Sequence, residues 1–586
     1  MDQPPLSNFA TDSEPGPAAP TGPGARATPL RGAVVRPFTF AALTVAALFV
    51  LPVATVLANL FASSEGTWAH LAATVLPRYV ANTAWLVLGV GLAVPVIGAG
   101  TAWLVTMFRF PGRRLFEWAL ILPLAVPAYV MAYTYTDFLQ FTGPVQGLLR
   151  ALTGWDAGGY WFPEIRSLQG AVVMLTFVLY PYTYLLCRAA FLEQSVCALE
   201  VSRTLGCGLA GSFFRVALPL ARPAIAAGTA LALMETLADY GTVSFFGVPT
   251  FTTGIIRAWI SLGDRVAAAQ LASALLGLVF LVLVIERWSR GSARYHHTTG
   301  RYQALPTYRL RGTRAALAAA ACAVPLIIGF LLPAAILLKM AVEAGDEQFG
   351  FRFVGLALNS FTLAGLTAVL AVLLASVMAY GARLKPSRLS IISNRLVGLG
   401  YAVPGAIIAV GALIPLAFLD NAFDAFMRAR FGLSTGLLLT GTIAALVYAY
   451  LVRFLAVSLN TVDSSLAKIR PTMDDAARSL GQSPAGTLVR VHAPLMWGSM
   501  LTAALLVFVD VMKELPATLV MRPLNFDTLA VQAFNLASDE RLTEAATASL
   551  VIVAVGVVPV ILLSRTIARA RPGTGAIAPG LPADAK

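Results

Sequence analysis

Four acidic residues interrupt two apolar stretches of this 586-residue chain. Glu235 and Asp239 lie four residues apart near the end of one stretch, and Asp510 and Glu514 have the same spacing in another. Residues at i and i+4 share one face of a helix, so each pair is predicted to project together. An acid at the centre of a bilayer costs about 2.5–3.5 kcal/mol and therefore usually faces a cavity or a partner. Carboxylate oxygens of this kind are suitable ligands for a hard cation.

Three interpretations of these acids remain open. Together with Tyr240, they would line a translocation path that attracts cations. Alternatively, they pair with Arg257, Lys513 or Arg522 and fix two parts of the chain together. In the third interpretation the helices end sooner, and the acids lie at the outer membrane interface.

The composition decides the class of protein that carries these acids. Hydrophobic residues make up 58% of the chain and charged residues only 12%, whereas soluble proteins have about 45–50% apolar and roughly 25% charged residues. A soluble enzyme is therefore excluded. The net charge of +13 is that of a membrane protein with basic cytoplasmic segments, and it gives no support for nucleic-acid binding.

Twelve stretches are long and apolar enough to cross a membrane, which takes roughly 20 residues. They are predicted at Phe38–Ala62, Asn82–Phe108, Trp118–Thr136, Ser167–Cys187, Ala221–Val248, Val266–Ile285, Ala315–Leu338, Leu356–Ala382, Leu396–Leu419, Phe431–Val452, Leu495–Leu519 and Ala545–Ser564. Lys and Arg concentrate in the segments that lie inside if both termini are cytoplasmic, and this asymmetry sets the predicted orientation. Residues 1–37, rich in Pro, Gly and Ala, are predicted to form a disordered tail.

The chain contains an internal repeat of about half its length. Asn82 and the later Ala-Val-Pro at 125–127 recur as Asn359 and Ala-Val-Pro at 402–404, both with an offset of 277 residues. Each half contributes six spans, and an even number inserts both halves in the same orientation. The predicted fold is thus an all-α membrane protein with two parallel six-helix repeats. The predicted divisions are a first half at 38–285, a cytoplasmic connector at 286–314, a second half at 315–565 and a cytoplasmic tail at 566–586.

A loop after the fourth span of each half carries the second repeated signal. An acid is followed after six residues by Gly, after ten more by an aliphatic residue, and after three more by Pro. Small residues around a Gly favour a bent helix–turn–helix that a partner surface can approach closely. The residues concerned are Glu200, Gly206 and Pro219 in the first copy, and Asp475, Ala476, Ala477, Gly481 and Pro494 in the second.

This duplicated loop resembles the EAA loop of bacterial ABC-importer permeases, in which it docks on a separate ATP-hydrolysing subunit. The resemblance implies a permease in the bacterial inner membrane. Its partners would be a homodimeric pair of ATP-binding subunits, a periplasmic substrate-binding protein and membrane lipid. No lysine follows a glycine in the chain, so a P-loop is absent from its sequence. The chain is therefore expected to be a transport subunit without a cofactor of its own, with ATP and Mg used by the partner.

Two further segments resemble the fused two-half permeases for ferric iron. These are DYGTV at 239–243 with the following FFGV and TFTTGI, and KELPATL at 513–519 with the following RP and FDTLA. The resemblance implies import of Fe(III) delivered by a periplasmic binding protein. Fused permeases for thiamine or phosphonates share this architecture and remain alternatives for the substrate. From another class, a secondary transporter driven by an ion gradient also remains open.

Overall fold

The computed structural model describes residues 32–63, 66–156, 159–193, 204, 206, 208–290, 308–344 and 350–569. In these ranges the chain is helical apart from turns, loops and one pair of two-residue strands. Eleven described helices are long and apolar enough to cross a membrane, and one pair of helices bent by 92° makes a twelfth crossing if counted as one span. The predicted all-α membrane fold with about twelve spans is confirmed.

The helices of the first half run from α1 to α12, and a π-helical turn at Phe213–Ala217 leads directly into α9. Their bounds are α1 Gly32–Ala58, α2 Thr67–Thr74, α3 Leu76–Met107, α4 Arg113–Ala119, α5 Ala128–Leu139, α6 Pro144–Thr153, α7 Leu168–Glu193, α8 Leu209–Ser212, α9 Leu218–Ala238, α10 Gly241–Phe245, α11 Phe251–Ile260 and α12 Arg265–Arg290.

The helices of the second half run from α13 to α24, with a matching π-helical turn at Leu488–His492 before α21. Their bounds are α13 Thr313–Leu326, α14 Leu332–Ala344, α15 Phe351–Leu384, α16 Arg388–Gly398, α17 Gly405–Phe431, α18 Ile443–Leu466, α19 Pro471–Ser479, α20 Pro484–Thr487, α21 Ala493–Met512, α22 Pro516–Met521, α23 Leu529–Ser538 and α24 Leu542–Arg569.

Equivalent hydrogen bonds show that the two halves share a backbone geometry. The Asn82 side chain on α3 donates to the Pro249 carbonyl at 2.9 Å, and the Asn359 side chain on α15 donates to the Asp527 carbonyl at 3.0 Å. In both halves the acceptor belongs to the loop that precedes the last short helix, α11 or α23. The Asn that opened the sequence repeat therefore has the same structural role in each half.

Five of the predicted spans, the third, fifth, ninth, tenth and eleventh, differ from the observed helices. The third span, predicted as continuous at Trp118–Thr136, bends sharply at Val126-Pro127, where Pro127 has an extended backbone and lacks an N–H. The ninth span begins at Gly405, after Pro404, and not at Leu396, because residues 388–398 form the separate helix α16. The tenth, predicted at Phe431–Val452, is Ile443–Leu466.

The shift of the ninth and tenth spans has a physical cause in Asp420. A hydropathy argument ends the ninth span just before this charge, yet α17 continues to Phe431. The Asp420 carboxylate accepts hydrogen bonds from the backbone N–H groups of Leu439 and Thr440 in the following loop. A buried acid satisfied in this way does not have to end its helix.

Each half lends its first helix to the other half. Helix α1 packs against α15, α16 and α17 of the second half, and α13 and α14 pack against α3, α4 and α5 of the first half. The approach is close enough to require glycine, since a Cβ on Gly411 in α17 would lie 2.2 Å from the Pro52 carbonyl oxygen of α1. The halves therefore share one apolar core, although their sequence divisions remain a prediction.

The described part of the connector returns to the first half. Strand β1 (Phe108–Arg109) follows α3 and pairs in parallel with β2 (Tyr308–Arg309), which precedes α13. The Leu310 N–H adds a hydrogen bond to the Arg109 carbonyl at 3.0 Å. Residues 291–307 of the predicted connector, most of the predicted N-terminal tail and residues 570–586 of the C-terminal tail lie outside the described residues.

Candidate functional site

A cavity of about 110 Å³ lies between the two halves and is lined by residues of both. Its volume suits a few water molecules or a small hydrated ion. The charged residues and tyrosines of its lining are Glu235, Asp239, Asp510, Glu514, Arg453, Lys513, Tyr129, Tyr182, Tyr240 and Tyr401. All five residues predicted for the translocation path therefore lie at one place in the fold.

The expectation that each acid pair shares a helix face is wrong. Helix α9 ends at Ala238, so Asp239 has an extended backbone, and α21 ends at Met512, two residues before Glu514. Both long helices thus end inside the protein and are followed by the short helices α10 and α22. Continuous spans to Val248 and Leu519, as predicted from hydropathy, do not form.

The two acids at these breaks satisfy the backbone of the short helices. Asp239 accepts from the Val243 N–H at 3.1 Å and from the Thr242 hydroxyl at 2.9 Å. Glu514 accepts from the N–H groups of Ala517 and Thr518 at 3.0 and 3.1 Å. Unpaired N–H groups at a helix N-terminus attract a carboxylate, which explains why acids occupy both positions.

Arg453 on α18 connects the acids of the two halves. Its guanidinium lies 3.4 Å from Glu235 of the first half and 3.6 Å from Glu514 of the second. The side chain of Arg453 is buried, with the residue only 7% exposed. Its approach and that of Glu514 require Gly405, because a Cβ there would lie 2.5 Å from a Glu514 oxygen.

The sequence interpretation missed Arg453 because the predicted tenth span stopped one residue before it. The pairing interpretation named other cations. Of these, Lys513 pairs with Asp510 at 2.9 Å, Arg522 pairs with Asp527 at 3.0 Å, and Arg257 is exposed. An arginine inside the apolar run YAYLVRFLAV was the available signal, since a charge at that depth needs a partner.

The cavity keeps an excess of carboxylates over cations. Four carboxylates face the two cations Arg453 and Lys513. The Tyr182 and Tyr401 hydroxyls, one from each half, lie 3.3 Å apart across the same space. No three His, Cys, Asp or Glu side chains converge on one metal-sized position within the described residues. The arrangement can attract a cation by its field without enclosing it in a ligand cage.

The predicted coupling loops have matching glycine geometry in both halves. Gly206 and Gly481 have φ of +80° and +77°, the left-handed conformation that glycine adopts most readily. Pro219 and Pro494 lie in the first turn of α9 and α21, and Asp475 pairs with Arg478 at 2.6 Å. In α19, Ala476 is exposed and Ala477 is buried, whereas Glu200 of the first loop lies outside the described residues.

A buried charge network anchors the second of the two predicted coupling loops. Asp474, next to the repeated acid, accepts from Arg383 at 2.6 Å and from His492 Nε2 at 2.7 Å. Burial opposes ionisation, but these hydrogen bonds hold the pKa of Asp474 below its usual range. Arg383 also donates to the carbonyls of Leu466 and Ile469, so α15 is tied to both ends of the loop. At equivalent positions the first half has Thr106, Leu199 and Ala217.

We expect Arg453→Met to lower the free energy of unfolding by about 3–5 kcal/mol, because it leaves Glu235 and Glu514 without their shared cation. Denaturant titration of the purified protein in detergent would measure this. The exposed Arg257→Met is the matched control and should change stability by less than about 0.5 kcal/mol. Equal stability of the two variants would show that the bridge does not hold the halves together.

Asp474→Asn should raise hydrogen exchange in residues 470–483 roughly tenfold, since loss of about 1.4 kcal/mol of local stability has that effect. Asp475→Asn is the control, because among the described residues its exposed carboxylate pairs only within α19. In the wild type, protection should persist at neutral pH and disappear as the pH falls through the lowered pKa of Asp474. Unchanged exchange in Asp474→Asn would contradict the anchoring role.

Comparison with known proteins agrees with this architecture. Residues 92–289 match the family described as "Binding-protein-dependent transport system inner membrane component". The chain is 25% identical over 498 residues to an Fe(3+)-transport system permease protein of Haemophilus influenzae, covering 84% of this chain and 90% of that protein. A probable ABC transporter permease of Sinorhizobium fredii is 24% identical, over 77% of this chain and 80% of that protein.

A shorter relative has a higher sequence identity to this chain than the two full-length relatives above. The molybdenum transport system permease protein of Escherichia coli K12 is 31% identical over 193 residues, covering 81% of that protein but 32% of this chain. These relatives are transport subunits and not enzymes, in agreement with the expectation from sequence. The chain belongs to the family of binding-protein-dependent inner membrane transport components and is the permease subunit of an ABC importer.

Proposed function

We propose that this permease carries ferric iron, delivered by a periplasmic binding protein and driven by a homodimeric pair of ATP-binding subunits. One observation carries the iron assignment. The similarity to the Fe(3+)-transport permease extends over 84% of the chain and covers both halves, whereas the molybdenum and sulfate transport permeases match about a third of it.

The chemistry of the cavity supports a cationic substrate. Fe(III) is a hard cation that prefers oxygen ligands, and four carboxylates and several tyrosines line the cavity. A dianion such as sulfate would meet a lining with more negative than positive charge. The absence of a closed ligand set among the described residues suits transit, because a site that binds an ion too tightly does not release it.

The proposed topology has both termini and the connector in the cytoplasm of a bacterial cell. The halves at 38–285 and 315–565 then insert in parallel, and the loops around Gly206 and Gly481 face the ATPase pair. ATP and Mg act in that pair and not in this chain. The cavity would open inward at rest and outward when ATP closes the attached subunits.

Two alternatives concern the substrate and the energy source. Thiamine and phosphonate permeases share the fused architecture, and direct uptake competition distinguishes them from an iron permease. Membership of a binding-protein-dependent family argues against a transporter driven by an ion gradient. No observation on this chain favours that alternative.

Asp239→Asn combined with Glu514→Gln should reduce uptake of radioactive Fe(III) roughly tenfold, the effect of about 1.4 kcal/mol on a rate. Both replacements keep a side-chain oxygen that can cap α10 and α22, so the amount in the membrane should not change. The control is Asp264→Asn, another helix-capping acid, which accepts from Val266 and Ala267 away from the cavity. Uptake that thiamine or a phosphonate abolishes, and Fe(III) does not, would reject the iron assignment.

Replacing both Gly206 and Gly481 by Val should abolish recruitment of the ATPase and uptake together. The positive φ at both positions disfavours a β-branched residue, although no atom of the described residues lies within 4 Å of a Cβ there. Gly498→Val is the control, because it has equally open space but ordinary helical geometry. Co-purification and uptake would be measured, and normal values in the double variant would reject the coupling assignment.

A further inference from the structure

Another ion pair joins the two halves at a distance from the charged cavity lining. Arg166 Nη1, just before α7, lies 2.8 Å from Glu540 Oε1, between α23 and α24. The hydrogen bond from Arg166 holds the pKa of Glu540 below its usual range. In the proposed topology both residues lie on the outer side, where the fourth and twelfth spans begin. The contact therefore crosses between the halves at the outer end of the molecule.

The turn that carries Arg166 is held firmly against α7. The Ser167 N–H donates to the Ile165 carbonyl at 2.8 Å, and the Ser167 hydroxyl accepts from the Gly170 N–H at 3.1 Å. A Cβ on Gly170 would lie only 2.0 Å from the Ile165 carbonyl oxygen. The backbone of this turn thus packs directly on the helix, which fixes the position from which Arg166 extends.

Arg166 also contacts the short helix α10, whose first residue, Gly241, lines the cavity. Its guanidinium lies 4.8 Å from the centre of the Phe245 ring, within the range of a cation–π interaction. Phe245 is the last residue of α10, the short helix whose N-terminus is satisfied by Asp239 of the cavity. On the opposite side, α23, which leads to Glu540, places Phe534 5.7 Å from the Tyr240 ring. Arg166 and Glu540 are therefore each linked, through an aromatic contact, to elements that line the cavity.

The backbone at Glu540 gives an independent reason to assign it a role. Glu540 has a φ of +62°, and the equivalent position, two residues before α12, is Gly263 with a φ of +66°. Glycine adopts this conformation freely, whereas a residue with a Cβ adopts it at a cost. The second half therefore has a glutamate where the first half has the residue that suits the backbone. The carboxylate compensates by reaching across to Arg166.

We propose that Arg166 and Glu540 form an outer clamp that holds the halves together over the cavity and opens whenever the cavity is exposed to the outer side. This inference rests on the proposed function, because the outer side and the alternating exposure both follow from it. Arg166 and Glu540 act by positioning the halves and do not contact the substrate. An exposed pair of this kind is weak, so a binding protein or ATP can open it.

The test uses the complete transporter, reconstituted with its ATPase pair in nanodiscs without binding protein. Glu540→Gly and Glu540→Gln should raise basal ATP hydrolysis about two- to fivefold, since an exposed ion pair shifts an equilibrium by no more than that. Asp539→Asn, at the neighbouring exposed carboxylate, should leave the basal rate of ATP hydrolysis unchanged.

The double variant Arg166→Glu with Glu540→Arg should restore the wild-type rate of basal ATP hydrolysis. Raising the salt concentration should increase basal hydrolysis of the wild type more than that of Glu540→Gly.

The outcomes separate the clamp from the proposed function. Arg166→Cys in cells with a permeabilised outer membrane should react with a membrane-impermeant maleimide, which the wild type does not bind at this position. Absence of labelling would overturn the proposed topology and the clamp with it. Labelling combined with unchanged basal hydrolysis in Glu540→Gly would overturn the clamp alone. If Glu540→Gly were poorly produced, the charge-reversed pair would still decide, because a failure to restore the wild-type rate contradicts a clamp.

Discussion

The pairing of the buried Arg453 guanidinium with carboxylates of both halves is the interaction on which the central architecture depends. A lone charge at this depth is unfavourable, and so is each of the surrounding carboxylates. Arg453 lies between Glu235 of one half and Glu514 of the other, so each group offsets the desolvation of the next. The two halves therefore cannot separate at this level without leaving charges unpaired. Since the carboxylates outnumber the cations, this stabilising network also leaves the cavity negative.

The interrupted helices make the same acids serve two purposes. A break inside a membrane protein frees backbone N–H groups that lipid cannot satisfy. Asp239 and Glu514 satisfy them at α10 and α22, and they line the cavity as well. Structural pairing and attraction of a cation are thus compatible properties of one cluster. The sequence alone presented them as competing interpretations, because it contained no information on where the helices end.

The sequence correctly predicted the features that depend on composition and spacing. Its predictions of helix ends were wrong where a polar contact overrides hydropathy. The number of spans and the repeat follow from apolar length and from a constant offset. The prediction that Glu235 and Asp239 share a helix face was wrong, because carboxylate capping stabilises a break within an apolar stretch. The tenth span was misplaced because Asp420 is satisfied by the loop that follows its helix, and this also concealed Arg453. A hydropathy argument scores apolar length and not whether an acid is satisfied, so it misses both the local capping by Asp239 and the partners of Asp420, which lie 19 and 20 residues further along the chain.

The differences between the repeats are as informative as their similarities. Both halves keep the left-handed glycine of the coupling loop and the Asn side chain that fixes the loop before the last short helix. Only the second half combines Arg383, Asp474 and His492, and only the second has Glu540 in place of a glycine. Because the halves are fused, each position can diverge without affecting its counterpart, which two identical subunits cannot do. If the ATPase pair is homodimeric as proposed, two identical surfaces meet two loops of different sequence, and in the second half Arg383 ties the loop to α15.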